Sequence, residues 1–325
     1  MPFTRRGFLA AATAATAAAG TTGVMADLRP ATPTATRAQL AAAYGVCVHP
    51  NWASGPMYGQ TERWMEQIAD LGVKQMRGLV VPQQAECRRT AELCRRYGIK
   101  WLMTIAPPTW RLGPAETTDR INQVAADYAD VVLGFEGVNE PNNAGTSDWA
   151  QRTVAIQRAI WDARNTHPEL ADVKVLSPSM HDVVEDQSSG AGYRALAARG
   201  IGDLCDVASL HSYPRGGEVT TGLADRLQLM DLAFEGKPVW ITETGWTTYS
   251  GGTGHRPTTE SDAAEFGGEG ISRIAAHQRV QKAFRYELLD DRSSGRDSEA
   301  RFGLVRADWS RKPEYDRVRK VLTGS

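Results

Sequence analysis

The sequence predicts a single (β/α)8 TIM barrel of the α/β class, on three observations. Eight short apolar runs alternate with amphipathic helical stretches, the pattern of a parallel barrel. No Gly-x-Gly-x-x-Gly follows the first run, so the commonest signal of the alternative, a doubly wound open sheet, is missing. Polar, aromatic and Pro/Gly clusters fall where the strands end, the face on which a barrel carries its chemistry. These clusters are His49-Pro50-Asn51-Trp52, Arg77, Pro107-Pro108-Thr109-Trp110, Asn139-Glu140-Pro141-Asn142, Ser179-Met180-His181, His211-Ser212-Tyr213-Pro214, Glu243-Thr244-Gly245-Trp246 and Tyr286-Glu287.

The elements follow in order. Thr4-Arg5-Arg6-Gly7-Phe8-Leu9 and the Ala-rich run to Gly20 read as a twin-arginine export signal. Residues 1–26 are expected to be removed after Val24-Met25-Ala26. The run is short and rich in Ala and Thr, which argues against a membrane anchor. The Pro/Ala/Thr-rich stretch over residues 27–40 reads as a flexible leader, and residues 41–325 as the barrel. Tyr44–His49 is the first strand. Thr61–Leu71 is a helix with Trp64, Ile68 and Leu71 on one face. Val73–Arg77 is the second strand. Ala85–Tyr97 is a helix ended by Gly98. Strand Ile99–Ile105, helix Ala115–Tyr128 and strand Val131–Val138 come next. Helix Trp149–Asn165, strand Val173–Ser177, a short helix Gly192–Ala198 and strand Asp206–Leu210 continue the alternation. Helix Leu223–Phe234 aligns Leu223, Leu227, Met230 and Phe234. Val239–Thr242 is the seventh strand. Thr247–Ile271, rich in Gly and acidic residues, reads as a long loop and a mobile flap. Helix Ser272–Lys282, strand Ala283–Leu288 and helix Pro313–Leu322 close the chain.

The composition narrows the classes of function. The 325 residues are 42% hydrophobic, enough for a sizeable core, with a formal net charge of −1. Without residues 1–26, which hold Arg5 and Arg6, 35 basic face 38 acidic residues, a charge of −3. Basic residues are scattered, which argues against a nucleic-acid partner. No membrane span is expected in the mature chain, which reads as a monomer. Cys47, Cys87, Cys94 and Cys205 read as buried free thiols. Cys87 and Cys94 share a helix about 10 Å apart, too far to bond each other. No Cys/His spacing suggests a metal, and no cofactor motif is present.

Two stretches share one design. Val239–Trp246 is a strand that delivers Glu243 before Gly245 and Trp246, and Val131–Asn142 is a strand that delivers Glu140 beside Asn139. Two carboxylates on strands that end across one barrel mouth meet the requirement for cleaving a glycosidic bond with retention. Arg77, at the end of the second strand, reads as the cation that keeps Glu243 ionised. Tyr213 reads as a hydrogen-bond donor to the same carboxylate. Charge on Glu243 then favours the proton on Glu140. Asn139 is placed to bind a sugar 2-hydroxyl and His211 to orient its neighbours. Trp52, Trp110, Trp246 and Tyr286 read as sugar-stacking rings, although each also suits packing. Glu136 reads as a barrel-interior residue or a partner of Arg77. Asp290 and Asp291 read as a solvated turn before a cation site.

Gly137-Val-Asn-Glu-Pro-Asn142 and Trp240-Ile-Thr-Glu-Thr-Gly-Trp246 resemble the acid/base and nucleophile motifs of clan A, the largest clan of retaining glycoside hydrolases. Leu210-His-Ser-Tyr-Pro214 is similar to that clan's strand-six motif. Arg285–Asp291, Phe302-Gly-Leu304 and Lys312-Pro313 resemble bacterial exopolysaccharide endoglycosidases near the β-xylosidase and α-iduronidase family. The resemblance implies Glu140 as acid/base, Glu243 as nucleophile, and a secreted, metal-independent enzyme that acts on a poly- or oligosaccharide by double displacement. The competing expectation is a glycan-binding protein without turnover on the same barrel.

Overall fold

The computed structural model describes residues 35–106, 112–181, 190–214, 216–251, 257–290 and 298–325. Eight parallel strands form one sheet: β1 Tyr44–Cys47, β2 Gln75–Leu79, β3 Lys100–Ala106, β4 Val132–Val138, β5 Lys174–Leu176, β6 Ala208–His211, β7 Val239–Thr244 and β8 Val280–Arg285. Their order is β5-β4-β3-β2-β1-β8-β7-β6. The two outer strands meet through a parallel bridge between Leu176 and Val207, and Ser177 N–H donates to Val207 O at 2.9 Å. The barrel expected from the alternation is therefore present.

Helices α1 Arg37–Ala43, α2 Thr61–Leu71, α3 Ala85–Tyr97, α4 Pro114–Tyr128, α5 Trp149–Thr166, α6 Ala191–Ala197, α7 Leu223–Phe234, α8 Glu260–Ala276 and α9 Pro313–Thr323 alternate with the strands. Their apolar faces cover the sheet. Trp64, Ile68 and Leu71 of α2 are fully buried, each worth roughly 1.5–3 kcal/mol of transfer free energy. α3 ends where Gly98 takes the left-handed conformation, φ 64°. Inside the barrel, Cys47, Leu102, Leu176, Val207, Trp240 and Phe284 form a separate apolar cluster. All four cysteines are free and buried, and burial pushes the Cys87 thiol up to about 11. Among the described residues, no helix is long and apolar enough to cross a membrane.

Three expectations are corrected. Residues 37–40, read as leader, belong to α1, whose start is fixed by a capping box between Thr36 and Gln39. Strand β2 begins at Gln75, so Arg77 lies in mid-strand, deeper in the barrel than a strand end. The second half of the long loop expected over Thr247–Ile271 is helix: α8 starts after Thr259, whose side chain accepts from Asp262 N–H at 3.1 Å. Ser272–Lys282 is correspondingly the end of α8, a turn and the start of β8. Residues 252–256 of that stretch lie outside the described residues.

The glycines that mask α8 in the sequence have a packing reason. A Cβ on Gly267 would stand 2.7 Å from Glu314 Oε1, and one on Gly268 would stand 2.8 Å from Arg317 Cγ. Glu314, on α9, is buried and pairs with buried Arg285 of β8, Nε to Oε1 at 2.6 Å. Gly267 therefore lets α8 sit against a buried ion pair that a side chain would displace, and Gly268 makes room for Arg317. Gly267→Ala is expected to lose about 1–3 kcal/mol through overpacking despite Ala's better helix propensity. Thermal unfolding should show a Tm several degrees lower; an unchanged or raised Tm would contradict this packing.

Candidate active site

The barrel mouth is built by breaking strand alternation. Residues two apart on a strand share a face, which carries Ser209 and His211 of β6 inward together. In β7, consecutive residues do so: Thr242 Oγ1 is 2.7 Å from Ser209 Oγ, yet Glu243 also reaches the mouth. The pairing register shifts between Leu210 and His211 and between Ile241 and Thr244, as a bulge requires. Glu140 uses a different device. It follows β4 in the left-handed conformation, φ 48° and ψ 51°, held by Glu140 N–H donating to Ser179 O at 2.9 Å. That conformation costs a non-glycine residue on the order of 1–3 kcal/mol. It turns the chain so that the carboxylate meets β6.

Arg77 joins the elements. Its Nε donates to Glu136 Oε2 at 2.5 Å, Nη1 to Glu243 Oε1 at 2.6 Å, and Nη2 to Asn139 Oδ1 at 2.7 Å. Burial opposes its charge, but Glu136 and Glu243 outweigh burial and raise its pKa further. Glu136 is fully buried beneath the site and accepts from Thr104, Ser179 and Ser209 as well. Burial pushes Glu136 up, but the charges of Arg77 and His211 and the serine hydroxyls outweigh it and hold the carboxyl at about 2. Of the two places weighed for Glu136, it occupies both: it lines the interior and pairs with Arg77.

Each oxygen of Glu243 is held. Arg77 takes Oε1, and Tyr213 OH donates to Oε2 at 2.6 Å. His211 lies between the two glutamates, with Nδ1 2.9 Å from Glu140 Oε1 and Nε2 3.5 Å from Glu243 Oε1. Burial pushes His211 down, but Glu243 and Glu140 outweigh it and raise its pKa. Burial likewise pushes Glu140 up, but the hydrogen bond with His211 and the charges of His211, His181 and Arg77 outweigh it. The Glu140 carboxyl therefore lies below the usual carboxylate range. Like-charge repulsion from Glu243 was expected to favour the proton on Glu140. In the structure the histidine between them takes over that balance.

One oxygen of Glu140, one nitrogen of His211 and one oxygen of Glu243 all lie within 4.8 Å of one another. Such a trio also suits a cation. Its geometry is accounted for by the hydrogen bonds just described.

The remaining expected residues divide. Tyr286 is half-buried beside the site, its ring 6.2 Å from Tyr213 and 5.8 Å from His49. Trp52, on the 3₁₀ turn Pro50–Trp52, stacks on His49 with centroids 3.8 Å apart and planes within 8°. Trp246 is not brought to the mouth. It is buried, its Nε1–H donates to Gly217 O at 2.9 Å, and its ring faces Phe266 and Arg285. Trp110 lies outside the described residues, as does Asp291. Asp290 is not in a solvated turn: it is buried and pairs with Lys312 Nζ at 3.0 Å.

Sequence reasoning missed the polar network of Thr104, Ser179, Ser209 and Thr242 under the site. The two-residue spacing of Ser209 and His211 was the available signal for it. It also missed the buried Glu287, which accepts from Tyr58 OH at 2.9 Å and stands 3.0 Å from His49 Nε2. Burial raises the Glu287 carboxyl against the pull of His49 and Tyr58.

With this geometry established, comparison with known proteins is informative. The model of the family described as glycosyl hydrolase catalytic core matches residues 92–308, more than half of the chain. No curated protein matches. Among solved structures, a family 39 glycoside hydrolase from Bacteroides cellulosilyticus WH2 superposes with a TM-score of 0.63 at 18% identity, covering 88% of this chain and 64% of that one. A family 2 β-galacturonidase from Eisenbergiella tayi gives 0.59 at 16%, covering 87% and 51%. A family 128 endo-β-1,3-glucanase from Amycolatopsis mediterranei gives 0.57 at 14%, covering 86% and 99%. The chain thus spans 64% and 51% of the first two structures, and at these identities the likeness is one of fold. The match over residues 92–308 includes both glutamate motifs, and the chain belongs to the glycosyl hydrolase catalytic core family.

Proposed function

We propose that the chain hydrolyses O-glycosidic bonds of a poly- or oligosaccharide with retention, by double displacement. The observation that carries this is the approach of Glu140 and Glu243 across His211, within 4.8 Å between carboxylate oxygens. That is close to the roughly 5–5.5 Å of a retaining pair and short of the roughly 6.5–9.5 Å that leaves room for a water. Glu243 is the nucleophile. Arg77 and Tyr213 hold both its oxygens, which limits its orientation before attack. Glu140 is the acid/base, and His211 is the group with which it shares a hydrogen bond. In the first step Glu243 attacks the anomeric carbon while Glu140 protonates the leaving oxygen. In the second, Glu140 removes a proton from water, which displaces Glu243. Asn139, whose Oδ1 is taken by Arg77, keeps its amide hydrogens for the sugar 2-hydroxyl.

The finer placement rests on the carboxy-terminal motifs. They favour an exopolysaccharide-degrading endoglycosidase close to the β-xylosidase and α-iduronidase family. The twin-arginine motif at Thr4–Leu9 favours export and an extracytoplasmic substrate. We take the enzyme to act as a monomer.

Glu140→Gln tests the reading. Turnover of natural glycans should fall by about 10²–10⁴, the usual worth of a general acid. Aryl glycosides with activated leaving groups should suffer much less, and the alkaline limb of the pH–rate profile should disappear. Equal damage to both substrate types, with both limbs kept, would remove Glu140 as the acid.

The contact with His211 predicts a second outcome. It depresses the Glu140 carboxyl, so His211→Asn should move the Glu140 titration to higher pH, which carboxyl ¹³C shifts can follow. A titration that stays in place or falls would contradict the role given to His211.

A further inference from the structure

The wall of the mouth formed by β1 and β8 holds a polar pair that the two-carboxylate chemistry does not use. Cys47 of β1 points into the barrel, where its Sγ lies 3.3 Å from Thr242 O of β7. His49, two residues on, follows it toward the mouth. Its ring stacks on Trp52 and meets the edges of Tyr58 and Tyr286 at 5.3 and 5.8 Å. Tyr286 in turn meets Tyr213, which donates to the nucleophile. A continuous wall therefore runs from Trp52 through His49 and Tyr286 to Glu243.

The two nitrogens of His49 are placed differently. Nε2 is buried and lies 3.0 Å from Glu287 Oε2. Glu287 is itself buried, and Tyr58 OH holds the same oxygen at 2.9 Å. The contact with Glu287 and the stack on Trp52 fix the ring. The side chain is 19% exposed, and Nδ1 has no hydrogen bond to any described residue. A ring locked on one edge and open on the other has the form of a recognition element, because its orientation is set before the ligand arrives.

We propose that His49 is a specificity-determining sugar contact, with Nδ1 hydrogen-bonded to one free hydroxyl of the sugar in the catalytic pocket, and that Glu287 is its positioning residue. The substrate class is then a glycan whose unit at the site carries that hydroxyl unsubstituted. A substituted or deoxygenated position there leaves Nδ1 desolvated without a partner, a penalty a polar pocket imposes strongly. This rests on the hydrolase reading above.

The test compares the wild-type protein with His49→Phe/Glu287→Gln on a panel of 4-nitrophenyl mono- and oligoglycosides, and on analogues of the one turned over fastest that are monodeoxy in the sugar next to the aryl group. The double variant keeps the stack on Trp52 and leaves no buried charge without a partner. In the wild type, one deoxy analogue should lose at least about tenfold in kcat/KM. In the variant that one penalty should vanish, with the penalties at other positions unchanged. If the double variant does not fold, His49→Gln, which keeps a donor for Glu287, is read in the same way. A variant that slows on every analogue alike, or keeps every wild-type penalty, overturns the proposal while leaving the hydrolase reading intact. A wild-type protein inert on the whole panel overturns the hydrolase reading first and this proposal with it.

Discussion

The site depends on one guanidinium in the middle of the barrel. Arg77 is buried, and it binds Glu136, Asn139 and Glu243 through three different nitrogens. Taking such a group out of water is costly, and only well-aimed partners offset the cost. The partners come from β4 and from β7, strands on different sides of the sheet order. Their carboxylates are therefore registered against a common cation. Removing that cation would leave Glu136 charged and buried, which typically costs about 3–5 kcal/mol. Stability and catalytic geometry are thus not separable at this residue.

Above that cation the two glutamates have different environments, which suit the different roles proposed for them. Glu243 is gripped at both oxygens, which suits a nucleophile that must not wander. Glu140 rides on a left-handed turn and touches an imidazole, a partner that exchanges protons near neutrality. Because His211 contacts both, protonation of the pair is a property of the trio rather than of either glutamate.

Much of this was legible in the sequence, for identifiable reasons. Helices α2, α3 and α7 begin and end where their apolar spacing and glycines place them. The two glutamates and Tyr213 were legible because short strands must display their chemistry at one end. Helix α8 was not, because Gly267 and Gly268 look like loop when their packing partner, α9, is distant in sequence. Of the two readings left open for Trp246, sugar platform or packing, packing holds. An aromatic after a strand-end carboxylate looks like a sugar platform, but here it anchors to Gly217 and covers Arg285. Asp290 looked exposed and Glu287 drew no role because their partners Lys312, Tyr58 and His49 are not legible from local sequence.

The central claim is that Glu243 becomes covalently bonded to the sugar. Treating the protein with an activated 2-deoxy-2-fluoro glycoside, which slows the second displacement, and mapping the adduct by peptide mass spectrometry tests it most directly. The account predicts one sugar per chain, on the peptide that holds Glu243 and on that side chain. An adduct on Glu140, or no adduct together with a product of inverted anomeric configuration, would contradict it.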